Sequence, residues 1–291
     1  MGWRTVVVSR SSKLDLKLGY MVIRDSEETI RVHIPEISVL IVENTASSIT
    51  TALLNELTKQ KIKVVFCDEK RNPSSELVSY YGCHDTSLKV RGQMEWSLIA
   101  KQSVWTEIVC EKIKKQRDNL FYFQCPECDL LNKYLEEIEF NDESNREGHA
   151  AKVYFNAMFG KEFSRSDECP VNAMLDYGYS IILSCVNREI VANGYITQIG
   201  LFHDNMFNQF NLGCDIMEPF RPIVDRKVKE IMPQKFEKEE KRLVLELLSD
   251  EFTIDGKRQT LLNTIKIYTK SVLSAIENDD PSYIKFYSDD V

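Results

Sequence analysis

His203 stands in Gly200-Leu201-Phe202-His203-Asp204-Asn205, between two helical stretches and twelve residues before Asp215. Asp215-Ile216-Met217-Glu218-Pro219-Phe220-Arg221-Pro222 follows. At helical pitch Asp215 and Glu218 share a face, so both can point into one site. The same run also reads as a helix start, with Asp at the cap, Glu three residues later and Pro in the first turn. On spacing alone both readings stand. Glu147, in Arg146-Glu147-Gly148-His149, reads locally as a solvent-facing acid in a first helical turn, where the helix dipole favours negative charge. Together, two carboxylates and an imidazole would form a mixed oxygen and nitrogen site suited to Mg²⁺ or Mn²⁺, with positions left for water and phosphate oxygens.

Cys125 and Cys128 have metal-like spacing in Cys-Pro-Glu-Cys. A structural zinc needs four ligands, and no second such pair exists, so a turn with two thiols is the expectation. His33 falls opposite Ile30, Val32 and Ile34 in an alternating run, which predicts a surface histidine.

The chain that must position these groups has 291 residues, 43% hydrophobic and 28% charged. That is a globular composition of two-domain length. Glycine and proline number only 11 and 8, which favours long helices over a many-turned sandwich. The net charge of −8 divides into +2 up to Arg91 and −10 beyond it. A uniformly basic coat protein is excluded, but local basic groups remain. Lys112, Lys114, Lys115 and Arg117 form one, and Arg221, Arg226, Lys227 and Lys229 another; each is either a solvated helix face or a phosphate-binding surface. No apolar run approaches membrane-spanning length, the opening lacks a signal-peptide pattern, and Val6 breaks the myristoylation pattern. A cytoplasmic protein with reduced thiols, not bound to a membrane, is expected.

The pattern predicts an α+β protein. Residues 1–91 read as a small β-rich domain with strands at Thr5 to Val8, Tyr20 to Ile23, Thr29 to Ile34, Val39 to Val42 and Lys63 to Cys67. One helix is expected from Ser48 to Lys59, with Ile49, Leu53 and Leu57 stacked. Residues 92–291 read as a larger all-helical domain, opened by the apolar stripe Met94, Leu98, Trp105, Ile108, Val109 and Ile113. Further helices are expected near 127–140, 147–160, 170–190, 215–230, 236–250 and 258–278. The tail with Asp279, Asp280, Asp289 and Asp290 reads as a frayed acidic end.

At these residues a family resemblance enters. Glu147 in Glu-Gly-His-Ala-Ala-Lys-Val-Tyr-Phe resembles the first metal-ligand motif of the CRISPR-associated spacer integrase, the first of the two universal Cas adaptation proteins. Phe202-His203-Asp204 with Phe210-Asn211-Leu212, and Asp215 to Pro222, are similar to its second and third motifs. Pro170-Val171-Asn172-Ala173-Met174-Leu175 with Tyr177-Gly178-Tyr179 resembles its central helix. The opening Met1-Gly2-Trp3-Arg4-Thr5-Val6-Val7, and Phe66-Cys67-Asp68 with Asn72-Pro73, resemble the type II-A branch.

The resemblance implies a β-rich domain that makes a homodimer and a helical catalytic domain whose Mg²⁺ or Mn²⁺ ligands are Glu147, His203 and Glu218, with Asp215 as a supporting acid. It implies transesterification, in which a 3′-hydroxyl of captured DNA attacks the CRISPR repeat, and metal-dependent DNA cleavage at the same site. Implied partners are the DNA, a small ferredoxin-like Cas protein bound by two dimers, and the type II-A effector nuclease with a ring-shaped adaptation protein. Lys112, Lys114, Lys115 and Arg221 are expected among the DNA contacts. A non-catalytic DNA-binding scaffold and a metallohydrolase for a small substrate are the alternatives.

Overall fold

Short runs rich in Val, Ile and Leu, continuous in most strands and alternating with polar residues in others, give the first part of the chain its strands. These are β1 (Arg4–Val8), β2 (Lys13–Lys17), β3 (Tyr20–Arg24), β4 (Thr29–His33), β5 (Ile37–Val42) and β6 (Ser48–Ile49), then β7 (Lys63–Cys67) and β8 (Pro73–Leu77) after helix α1 (Thr51–Lys59). The computed structural model describes residues 2, 4–78 and 83–289 and divides the chain into two units, Met1–His84 and Asp85–Val291. In the first unit β1, β5 and β7 run parallel, with β8 antiparallel at the edge; β4, β3 and β2 form a meander whose last strand pairs with β6. Leu14, Met21, Leu40, Leu53, Leu57 and Val64 meet in one core.

The expected strands are present, with three more, β2, β6 and β8. Charges interleave with Leu14 and Leu16 in β2, and β8 is a mostly polar edge, so neither carries a strong apolar signal. The helix expected from Ser48 starts at Thr51, because Ser48 and Ile49 pair with β2 and the Thr50 hydroxyl caps the Leu53 N–H at 3.4 Å. His33 is exposed, beside the ring of Tyr20.

The second unit comprises α2 (Thr86–Met94), α3 (Leu98–Tyr122), α4 (Cys128–Glu136), α5 (Arg146–Phe159), α6 (Pro170–Ala192), α7 (Asn211–Met217), α8 (Arg221–Ile231) and α9 (Lys238–Glu246). A hairpin, β9 (Glu251–Ile254) and β10 (Lys257–Thr260), precedes α10 (Leu261–Glu277). The boundary expected after residue 91 falls inside α2. The expected helices are present, but the one expected near 215–230 is split into α7 and α8, and the second strand of the hairpin occupies the start of the helix expected near 258. Trp105, Ile108, Val109 and Ile113 of the predicted stripe are buried, whereas Met94 and Leu98 are exposed because the chain breaks between α2 and α3, where Ser97 caps the new helix. No helix among the described residues is long and apolar enough to cross a membrane.

The tail is docked, not frayed. Ser288 exchanges backbone hydrogen bonds with Thr253, and Tyr287 is buried with its hydroxyl donating to the Pro219 carbonyl at 2.8 Å. Asp289 pairs with Arg226 at 3.0 Å; Asp290 lies outside the described residues.

Candidate metal-binding site

Three elements of the helical unit bring the acids and the imidazole together. Glu147 sits in the first turn of α5, whose leading N–H groups are already satisfied. Asp142 accepts from the backbone of Arg146 and Glu147 at 2.7 and 3.1 Å, and Asn145 accepts from Gly148 at 3.3 Å. Glu218 opens a single 3₁₀ turn, Glu218–Phe220, that joins α7 to α8. His203 lies in the loop before α7.

Asp215 holds that loop. Its carboxylate is fully buried and accepts from the backbone N–H of Leu201, Phe202 and His203 at 2.6, 3.1 and 3.2 Å. It also binds His203 Nδ1 at 2.5 Å, which places the proton on Nδ1 and leaves Nε2 as the available ligand nitrogen. Gly200 makes the approach possible, since a Cβ there would come within 2.7 Å of Asp215 Oδ2. The capping-box reading is therefore corrected. Helix α7 begins at Asn211, four residues before Asp215, so that side chain caps no helix and instead clamps the His203 loop.

Around the imidazole, Phe202 stacks on Trp105 of α3 with ring centroids 4.6 Å apart, and His203 meets Trp105 edge-on at 5.8 Å. The bond to Asp215 outweighs burial and raises the His203 pKa, with Asp215, Glu218 and Glu147 adding in the same direction.

Lys112 of α3 joins the two glutamates. Its ammonium donates to Glu147 Oε1 and pairs with Glu218 Oε2, while Arg221 Nε donates to Glu218 Oε1 at 2.8 Å. Burial opposes ionisation of Glu218, yet Arg221 and Lys112 outweigh it and hold its carboxyl down at about 2. Burial likewise opposes the charge on Lys112, but Glu218 and Glu147 raise its pKa. The Arg221 guanidinium lies 4.7 Å over the ring of Tyr179, whose hydroxyl donates to the buried Asp225.

Two carboxylates of opposite access and an imidazole nitrogen form a donor set that fits a hard divalent cation. Glu218 Oε2 is buried, with no hydrogen-bond partner and only the Lys112 ammonium for company. The ligand atoms of Glu147, His203 and Glu218 do not all lie within 4.8 Å of one another while that ammonium stands between the carboxylates.

The basic residues expected to contact DNA are placed differently. Lys112 and Lys115 are buried, not solvent-facing: the first is held by the site's own acids, the second lies 4.1 Å over the Tyr287 ring. Arg221 is committed to Glu218. Lys114 alone of the four is well exposed, at 46%, beside Glu111. Cys125 and Cys128 flank the turn into α4, and the Cys125 thiol faces the backbone carbonyls of Phe123 and Ala157. All eight cysteines are free thiols.

A β-rich unit followed by this helical unit is a fold shared with chains of known structure. One, solved in a Cas6-RT-Cas1–Cas2 complex, matches with a TM-score of 0.73 at 18% identity, over 97% of this chain and 36% of that longer one. A casposase bound to integration product matches with a TM-score of 0.70 at 18% identity, over 96% and 92%. The fold is thus that of the Cas1 and casposase class. The sequence is more specific: the family described as CRISPR associated protein Cas1 matches residues 5–251. The CRISPR-associated endonuclease Cas1 of Neisseria meningitidis serogroup C is 30% identical over 98% of this chain and 96% of its own. This chain belongs to the Cas1 family.

Proposed function

We propose that the protein is a metal-dependent DNA integrase and endonuclease of CRISPR adaptation, with Glu147, His203 Nε2 and Glu218 holding one Mg²⁺ or Mn²⁺. The observation that carries this reading is the convergence of Glu147 and Glu218 on one buried charge, beside an imidazole oriented by Asp215, in a Cas1 chain. The bound cation would polarise a phosphoryl oxygen and favour an alkoxide nucleophile. The protein's part is positional. Asp215 fixes which imidazole nitrogen faces outward and holds the loop by three backbone N–H groups. Arg221 keeps Glu218 ionised in a buried setting, and Trp105 with Phe202 screens one side of the imidazole from water.

The reaction is strand transfer: a 3′-hydroxyl of captured DNA attacks a phosphodiester in the CRISPR repeat and displaces a 3′-hydroxyl. The partners belong to the same reading. The structural neighbours, a chain in a Cas6-RT-Cas1–Cas2 complex and a casposase bound to integration product, support a small Cas partner and DNA. The opening motif and Phe66-Cys67-Asp68 support the type II-A branch, with its effector nuclease and ring-shaped adaptation protein.

Replacing His203 by Ala removes the nitrogen ligand, and strand transfer should fall by orders of magnitude, since each 1.4 kcal/mol or so is tenfold in rate. The test is integration of a 3′-hydroxyl oligonucleotide into a repeat-bearing plasmid, with circular dichroism and DNA affinity as controls. Near-normal integration by folded His203→Ala protein overturns the site. DNA binding without strand transfer by the wild type, at any divalent metal, instead establishes the scaffold reading.

A further inference from the structure

Past His203 the loop turns outward and exposes two large apolar side chains in succession, Met206 and Phe207, each 86% exposed. Single apolar residues on a surface are ordinary. This pair is held out by a built turn. Asn205 accepts from the Phe207 N–H at 2.9 Å, Asn208 accepts from the Phe210 N–H at 2.9 Å, and Asn211 donates to the Asn205 carbonyl at 3.1 Å and the Gln198 carbonyl at 3.0 Å. The loop is thus braced from both sides, while its tip stands exposed among the described residues.

We propose that the Met206–Phe207 tip stacks against a DNA base within a few nucleotides of the phosphate that reacts. This rests on the proposed integrase reading. Phe207 lies four residues from His203, so the tip is at most about 14 Å away along the chain. That span covers about four nucleotides at 3.4 Å per base step. The chemistry of the segment selects a base over a phosphate. From Glu189 to Phe220 there is no lysine or arginine, and the exposed Asp204 repels a phosphate. An aromatic ring and a thioether next to a carboxylate have the composition of a stacking tip or wedge, as apolar side chains at an opened base step do.

The experiment uses a branched duplex resembling the integration product, with 2-aminopurine placed in turn at each of the four nucleotides on either side of the junction, in EDTA so that no chemistry occurs. Wild-type protein should change the fluorescence at one or two adjacent positions. The Met206→Ser/Phe207→Ser protein should abolish that change and bind about tenfold more weakly, within the range for one lost base–aromatic stack. Its salt slope should equal that of the wild type, because stacking releases no counterions. Phe207→Trp should restore the fluorescence change. Both side chains are almost fully exposed, so the serine protein keeps its fold, as circular dichroism will show. Wild-type protein that binds the duplex without a local fluorescence change, or a serine protein with the wild-type signal, overturns the tip and leaves the integrase reading standing. Wild-type protein that binds no DNA overturns both. A serine protein altered in oligomeric state by light scattering but unaltered in fluorescence makes the tip a protein contact and also overturns the proposal.

Discussion

Lys112 is the cation that the two candidate ligands share. Truncating one partner of a buried ion pair leaves the other charge unpaired and costs about 3–5 kcal/mol. Glu147 is partly exposed and Glu218 keeps Arg221, so Lys112→Met should fall at the low end, near 3 kcal/mol. With no divalent metal its melting temperature should drop by roughly 6–12 °C, and added Mn²⁺ should raise it by more than it raises the wild type, because the cation supplies the missing charge. An equal Mn²⁺ shift in the two proteins contradicts this account. Asp225 behaves oppositely to Glu218. Burial raises its carboxyl to about 6 despite the hydroxyls of Tyr179 and Tyr154. The unfolded chain releases that proton near 4, so between about pH 4 and 6 the folded state holds more protons and this group's contribution falls as pH rises, by about 3 kcal/mol in all. Glu218, depressed to about 2, exerts its effect below that window. Urea midpoints of Asp225→Asn should therefore decline less than those of the wild type from pH 4 to 6.

Helix α3 shows how far an element can be read from its sequence. Its apolar positions from Trp105 to Ile113 follow helical spacing and are buried as that spacing requires. Its polar positions mislead, because a buried lysine and a solvated one have the same letter. Glu111, Lys115 and Asn119, and Lys112 with Gln116, recur at four-residue spacing and are all buried. Such a polar stripe on a 25-residue helix is a signal in retrospect. Its meaning depends on acids supplied by α5 and by the Glu218–Phe220 turn, which no local pattern connects to it. The family motifs pointed to Glu147, His203 and Glu218 as candidates and to Asp215 as a supporting acid, whereas the local pattern at Asp215 mimics a helix cap and gave no sign that its carboxylate clamps the His203 loop. The docked tail was illegible for a similar reason: four aspartates dominate its composition, while the anchor is one tyrosine. Tyr287 contacts Pro219 through its hydroxyl and stacks on Phe220 at 5.2 Å, directly behind Glu218. Tyr287→Ala should cost about 3–5 kcal/mol, as for truncating a buried aromatic, seen as a lowered urea midpoint. A midpoint within error of the wild type means the tail is not anchored there.

At the scale of the molecule, β1, β8, β4 and β6 are the outer strands of the first unit's sheets among the described residues, and outer strands invite pairing with another chain. Ile30, on the β4 edge, is 43% exposed. The proposed homodimer predicts twice the chain mass in light scattering at micromolar concentration, and Ile30→Lys should shift the equilibrium toward monomer. A wild-type monomer removes the proposal. The two-part organisation was legible because hydrophobic periodicity changes along the chain; the boundary was not, because α2 has no apolar face to mark it.

The anchoring of Tyr287 behind Glu218 also sets an order in time. Synthesis proceeds at about 5–20 residues per second, so roughly half a minute at the slow end separates the emergence of Glu147 from that of Tyr287. Throughout that interval the first unit has all its own residues and can fold, while the carboxylate pair lacks first Glu218 and then the prop behind it. A nascent chain, or one cut short before Phe286, thus carries the proposed ligands without the backing of their last turn.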